Sequence, residues 1–190
     1  MNEIKEFFNN LARKWDNNIT PDDRLRAKNL INDIGLKEKM KVLDLACGTG
    51  IVSEYIEDII NVPMLSIDLS DEMISIANEK NKNKNITFKN IDLYDLNDKF
   101  DYIICFNAYP HFIDKEKFKN KIYDLLNDKG KLAILHNLSR KRLDMHHSQI
   151  TNISRTLNEV NLEASYYLPQ FKIIEAYEDD ESYKIILEKE

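Results

Sequence analysis

Cysteine is scarce in this chain: Cys47 and Cys105 are the two present among 190 residues. They form no Cys-x-x-Cys pair and suggest no disulfide framework. Long apolar runs are missing too. None approaches the length of a membrane span, and the N-terminus lacks the apolar core of a signal peptide, so a cytoplasmic protein that does not enter a membrane is expected. An excess of positive charge is also lacking. Lys and Arg number 27 against 33 Asp and Glu, a net charge of −6, which leaves no electrostatic footprint for a nucleic-acid backbone. The length suits one domain, residues 1–190, with a full hydrophobic core.

Glycine is rare as well, four in all, yet Gly48 and Gly50 stand one residue apart in Val42-Leu43-Asp44-Leu45-Ala46-Cys47-Gly48-Thr49-Gly50. The apolar run from Val42 to Leu45 reads as a buried strand, and Ile51 to Ile60 resumes a helical apolar pattern. Strand, glycine turn and helix open a nucleotide-binding βαβ unit. Glycine suits the turn because the backbone must bend tightly and a ligand must approach without meeting a Cβ. The next strand, Met64 to Ile67, ends at Asp68, where a carboxylate can accept both hydroxyl protons of a ribose. The third glycine of the dinucleotide fingerprint would fall at position 53, which is serine.

These residues, with Ser66-Ile67-Asp68-Leu69-Ser70 closing the second strand, resemble class I S-adenosylmethionine-dependent methyltransferases. The resemblance implies a cofactor held by Asp44, Ala46, Gly48, Gly50, Asp68, Leu69, Met73, Asp92, Leu93 and Asn107. Within that set, Gly48 and Gly50 admit the amino-acid end of S-adenosylmethionine, Asp68 takes the ribose and Asp92 the adenine amine. Tyr109-Pro110-His111-Phe112 and His136-Asn137-Leu138-Ser139-Arg140 resemble a bacterial and archaeal subgroup of the same family, without naming an acceptor. The likeness runs from Phe7 to about His147 and weakly through the C-terminal strands. It is poorest after His147.

Along the chain, Ile4, Phe7, Phe8, Leu11, Ala12 and Trp15 make one helical face. Thr20-Pro21 and two acids then start a second helix with Ala27, Leu30, Ile31 and Ile34 inward, ending at Gly35. The two helices (residues 1–38) precede a cofactor-binding core at residues 40–138, as a lid does in quinone-modifying methyltransferases. Ser70-Asp71-Glu72 caps a third helix, Ile86 to Lys89 is a third strand and Phe100 to Phe106 a fourth. Asp114 caps a helix with Phe118, Ile122, Leu125 and Leu126 on one face, and Lys131 to Leu138 is the fifth strand. Residues 139–190 follow as a helical segment and a hairpin, with Phe171 and Ile173 alternating before an acidic turn and Tyr183, Ile185 and Leu187 after it. The expected fold is α/β: a Rossmann-like, doubly wound, seven-stranded, mostly parallel sheet with an antiparallel last strand and an N-terminal helical lid. The stretch from Ser148 to Gln170 is the least legible.

Ligands of open α/β sheets bind outside the carboxyl ends of the strands. Asp44, Asp68 and Asp92 follow the first three strands, while the fourth and fifth deliver Asn107 to Phe112 and His136 to Arg140. The four histidines (His111, His136, His146 and His147) all follow those two strands, and a histidine near neutrality can move a proton or ligate a metal. Tyr109, His111 and His136 are therefore the candidate catalytic residues. A divalent metal held by His111, His136 and His147 is a further option.

The reading is methyl transfer from S-adenosylmethionine to a small molecule. An NAD-dependent oxidoreductase built on the same βαβ unit and a non-catalytic S-adenosylmethionine-binding protein remain as alternatives. The oligomeric state, monomer or homodimer, is left open.

Overall fold

Local rules explain where the elements start. In the computed structural model the backbone is described for residues 2–147 and 152–190, and the side chains for these except Asn2, His146 and His147. Helix α1 (Asn2–Trp15) is followed by α2 (Pro21–Asp33), opened by a capping box in which Thr20 Oγ1 accepts from the Asp23 N–H and Asp23 answers the Thr20 N–H. Each box closes two backbone donors that a helix start leaves open. Strand β1 (Val42–Leu45), α3 (Ser53–Ile60), β2 (Met64–Asp68), α4 (Asp71–Lys80) and β3 (Ile86–Asn90) then alternate. Ser70 caps α4 by accepting from the Met73 N–H, as its sequence predicts.

The second half begins with β4 (Phe100–Phe106), α5 (Lys115–Leu125) and β5 (Leu126–His136). It continues through α6 (Arg140–His147), α7 (Val160–Ser165), β6 (Phe171–Glu178) and β7 (Tyr183–Lys189). The seven strands form one sheet in the order β3-β2-β1-β4-β5-β7-β6. Strand β1 pairs β2 and β2 pairs β3 in parallel, as β4 pairs β5, whereas β7 runs antiparallel to both β5 and β6. This is the expected sheet. Among the described residues no helix is long and apolar enough to cross a membrane.

The chain divides into two compact units, Met1–Asn97 and Asp98–Glu190. In the first, Cys47, Ile74, Ala77 and Phe88 form a buried cluster against which Ile86 packs. The face of α1 is only partly covered: Ala12 is buried, while Phe7, Phe8, Leu11 and Trp15 are half-buried. In the second unit Tyr102, Ile103, Ile104 and Cys105 of β4 are fully buried, as befits a central strand covered on both faces. Phe118, Ile122 and Leu125 of α5 are buried with them.

The fifth strand differs from its sequence expectation. It starts at Leu126, which the helical pattern assigns to α5, and ends at His136 rather than Leu138. Leu126 turns extended and pairs with Phe100, then the ladder slips and resumes at Lys131 opposite Tyr102. Residues 127–130 make the irregularity. A Cβ at Gly130 would lie 2.8 Å from the Asn127 carbonyl oxygen and 3.1 Å from that of Phe100, so glycine is needed there by close backbone approach.

Candidate active site

In the first unit the carboxyl ends of β1 and β2 are joined by one carboxylate. Asp68 Oδ2 accepts from the Gly48 N–H and Oδ1 from the Ser70 N–H, both at 2.8 Å. The turn that makes this possible needs left-handed backbone: Ala46, Gly48 and Gly50 have φ of +56°, +54° and +78°. The two glycines serve different ends. A Cβ at Gly48 would meet no heavy atom within 4 Å, whereas one at Gly50 would meet Asn81 Nδ2 at 2.9 Å and Phe88 Cζ at 3.0 Å. Gly48 leaves room for a ligand; Gly50 is required by the protein's own packing.

Asp44 lies fully buried on β1. Its Oδ2 accepts from Ser53 Oγ at 2.5 Å, and Ser66 Oγ donates to Ser53 Oγ at 3.3 Å. Oδ1 is buried without a hydrogen-bond partner. Burial pushes the Asp44 carboxyl up to about 7, the Asp68 charge adding to that and the Ser53 hydroxyl opposing it. Burial also raises Asp68, against the N–H groups of Ser70 and Gly48, and drives the Cys47 thiol well above its usual value. A buried acceptor lacking a donor, a carboxylate at the end of β2 and an open backbone at Gly48 fit a ligand with a cationic end and a ribose.

Asp92 caps a short 3-10 turn, accepting from the Tyr94 N–H. Leu69 is half-buried, and its carbonyl accepts from Asn90 Nδ2 at 2.7 Å. Met73 and Leu93 are buried core residues, able to offer apolar surface and no side-chain hydrogen bond.

In the second unit Asn107 (φ +53°) ends β4 in a reciprocal pair. Its Nδ2 donates to Asn137 Oδ1 at 2.7 Å and its Oδ1 accepts the Asn137 N–H at 3.2 Å. That pair ends β5 at His136. Tyr109 is buried, with its hydroxyl donating to Glu163 Oε1 at 2.7 Å and accepting from Tyr167 at 2.9 Å. Burial raises its pKa. His111 is half-buried, and its Nδ1 lies 3.0 Å from the Ile153 carbonyl. A carbonyl can only accept, so Nδ1 carries the proton and the basic lone pair of the neutral ring sits on Nε2. Burial lowers the His111 pKa, against the Ile153 bond. His136 is fully buried, edge-on to the Tyr183 ring at 6.0 Å. The side chain of His147 lies outside the described residues. Among those described, no group of three or more His, Cys, Asp or Glu is arranged to hold a metal.

Glu163, which sequence patterns alone do not mark, organises the second unit's loops. It is fully buried on α7. Beside Tyr109, its Oε1 receives Lys115 Nζ at 2.7 Å and Arg155 Nη2 at 3.1 Å, and Oε2 receives Asn158 Nδ2 at 2.8 Å. Arg155 further donates its N–H to the Pro110 carbonyl and stacks 4.5 Å from the Tyr109 ring centre. The segment after α6 thus wraps the turn that presents His111. Burial would raise the Glu163 carboxyl, but Lys115, Arg155 and Tyr109 outweigh it and hold it below its usual value. Arg155 and Glu163 lie in the stretch from Ser148 to Gln170, where no periodicity or motif singles them out.

A family model described as a methyltransferase domain matches residues 36–188. The chain belongs to the methyltransferase domain family. The match covers this domain's glycine turn, both carboxylates and the terminal hairpin. Over 146 residues it is 30% identical to the ubiquinone/menaquinone biosynthesis C-methyltransferase of Wigglesworthia glossinidia brevipalpis, covering 70% of this chain and 58% of that protein. The chain spans about half the length of the curated relatives it matches.

Two solved structures share the methyltransferase fold. One is from a Haloferax volcanii complex of the Trm112 methyltransferase activator with a methyltransferase: TM-score 0.80, 16% identity, 96% of this chain and 97% of that one. The other is magnesium protoporphyrin IX methyltransferase from Synechocystis PCC 6803 with bound SAH: TM-score 0.75, 16% identity, 100% and 99% covered.

Proposed function

We propose that this protein transfers a methyl group from S-adenosylmethionine to a small-molecule acceptor. The observation that carries the reading is the Asp44–Gly48–Asp68 cradle, within a domain of the methyltransferase family. Asp44 and the open backbone at Gly48 would receive the cationic amino-acid end, Asp68 the ribose and Asp92 the adenine amine. Ala46, Gly50, Leu69, Met73, Leu93 and Asn107 complete the proposed set, the apolar ones as surface. When bound, S-adenosylmethionine supplies an already electrophilic methyl group, so the chain's main task is alignment of the acceptor, which can supply roughly 7–11 kcal/mol.

His111 is the proposed general base. With Nδ1 protonated toward Ile153 and its pKa lowered, the ring is neutral at neutral pH and can take a proton at Nε2. Such a base supplies roughly 10²–10⁴-fold. Tyr109 and His136 act from buried positions, Tyr109 by fixing the turn that carries His111 and His136 by packing at the end of β5. A divalent metal on His111, His136 and His147 is a separate proposal, tested by elemental analysis of the purified protein. The net charge of −6 supports an acceptor other than nucleic acid; a cytoplasmic enzyme acting as monomer or homodimer completes the proposal.

Calorimetric titration with S-adenosylmethionine, S-adenosylhomocysteine and NAD tests the reading. Micromolar binding of the first two and none of NAD is expected. Binding of NAD alone would overturn the function in favour of an oxidoreductase.

A further inference from the structure

The two backbone N–H groups that hold Asp68 belong to Gly48 and Ser70. Each lies at, or one residue from, a buried hydroxyl whose partner comes from the N-terminal segment. Thr49, next to Gly48, donates its hydroxyl to Asp16 Oδ1 at 2.6 Å. Ser70 donates its own to Asn9 Oδ1 at 2.5 Å. Both hydroxyl residues are buried, so removing these partners strands polar groups, at a cost typical of a buried unsatisfied donor.

Each tie is reinforced. Lys80 Nζ reaches Asp16 Oδ2 at 2.5 Å and Thr49 Oγ1 at 3.4 Å, closing a three-way junction between the N-terminal segment, the glycine turn and the end of α4. Asn9 Nδ2 donates to Asp71 Oδ1 at 3.1 Å, and the Glu72 N–H reaches Asn9 Oδ1 at 3.4 Å. Asn9 lies on α1, and Asp16 opens the 3-10 turn (Asp16–Asn18) that follows it. Their chain neighbours Phe8 and Trp15 meet edge-on at 5.7 Å.

We propose that Asp16 and Asn9 are positioning residues for the cofactor, tying the N-terminal helix to the two loops that orient Asp68. Docking of α1 and filling of the Asp44–Gly48–Asp68 cradle then favour one another, because both act on the same two loops. By linkage the effect is reciprocal: a change that releases α1 weakens cofactor binding by the factor by which the cofactor strengthens docking. The inference rests on the S-adenosylmethionine reading above and concerns only this chain's own residues.

The test combines hydrogen exchange across residues 2–15 with calorimetric titration of S-adenosylhomocysteine. In the wild type, S-adenosylhomocysteine slows exchange in α1. Asp16→Ala and Asn9→Ala each weaken its binding by about tenfold, within the usual range of coupling, and abolish the ligand-dependent slowing. Asp16→Asn, which keeps an acceptor for Thr49, restores part of both. Thr49→Val reproduces Asp16→Ala from the other side of the bond and serves where Asp16→Ala does not fold. Lys129→Ala removes an exposed pair with Glu190, outside α1 and both loops, and changes neither reading. A residue that merely stabilises the fold shifts the melting temperature without touching the ligand-dependent exchange. Tight binding by the wild type with unaltered exchange in α1, or with Asp16→Ala and Thr49→Val binding as the wild type does, overturns the inference alone. No binding by the wild type overturns it together with the cofactor reading.

Discussion

Gly48 and Asp68 are joined by a 2.8 Å hydrogen bond from the glycine N–H to the carboxylate, which ties the turn after β1 to the end of β2. The carboxylate has its other oxygen on the Ser70 N–H. Two backbone donors fix the side chain before any ligand arrives, and each oxygen keeps a lone pair for a hydroxyl.

Asp68→Ala removes both the loop tie and the proposed ribose acceptor. Hydrogen bonds to a charged group contribute about 1.5–3 kcal/mol, so S-adenosylhomocysteine affinity should fall by at least about tenfold in a calorimetric titration. Unchanged affinity would sink the ribose assignment.

Gly48→Ala and Gly50→Ala should separate function from stability. Both positions have positive φ, which costs an L-residue roughly 1–2 kcal/mol. Only Gly50 adds a collision, with Asn81 and the Phe88 ring. Urea denaturation should show Gly50→Ala the less stable, while titration should show Gly48→Ala losing cofactor affinity in a protein that remains folded.

Asp44 makes stability depend on pH. Its carboxyl titrates at about 7 when folded and near ~3.9 when unfolded. Between those values the folded state holds the extra proton, so this contribution falls as pH rises through the window. Asp68 is raised also and adds in the same sense. His111 is lowered and opposes it on acidification, losing stability below ~6.5. Comparison with Asp44→Asn isolates the one group. The stability of Asp44→Asn relative to wild type should rise by about 2.5 kcal/mol from pH ~5 to pH ~8; a constant difference would contradict the raised pKa.

Glu163 is the most exposed to loss among the buried charges, since Lys115, Arg155 and Tyr109 all lean on it. Breaking a buried pair from one side costs about 3–5 kcal/mol. Glu163→Ala should lose about that in urea denaturation, and Tyr109→Phe, which removes the bonds to Glu163 and from Tyr167, about 2–4 kcal/mol. Because the Glu163 pKa is held down, its contribution is present above the ordinary carboxylate value and disappears as pH falls through the lowered one. A Glu163→Ala variant as stable as the wild type would show that the network is not what holds the His111 turn.

Much of the architecture was written in local pattern. Alternating strand and helix signals led to the parallel sheet, and the Phe171–Tyr183–Leu187 alternation led to the closing antiparallel pair. Asp44, the two glycines and Asp68 were legible because a left-handed turn between a buried strand and a helix admits few residue types. The boundary of β5 was not legible. Leu126 is apolar and satisfies a helical face as well as a strand, and the pairing with Phe100 that decides between them is long-range.

By itself, the sequence determined the order of the elements, the glycine turn and the acids that follow the first three strands. Periodicity and backbone sterics act between near neighbours, so they can be read from near neighbours. Tertiary structure alone decided that Gly48 is open and Gly50 crowded, that Asp16 and Asn9 reach Thr49 and Ser70, and that Glu163 gathers two cations. Those are partnerships between residues far apart in the chain. Burial sets their strength and their pKa shifts, and burial exists only once the chain has folded.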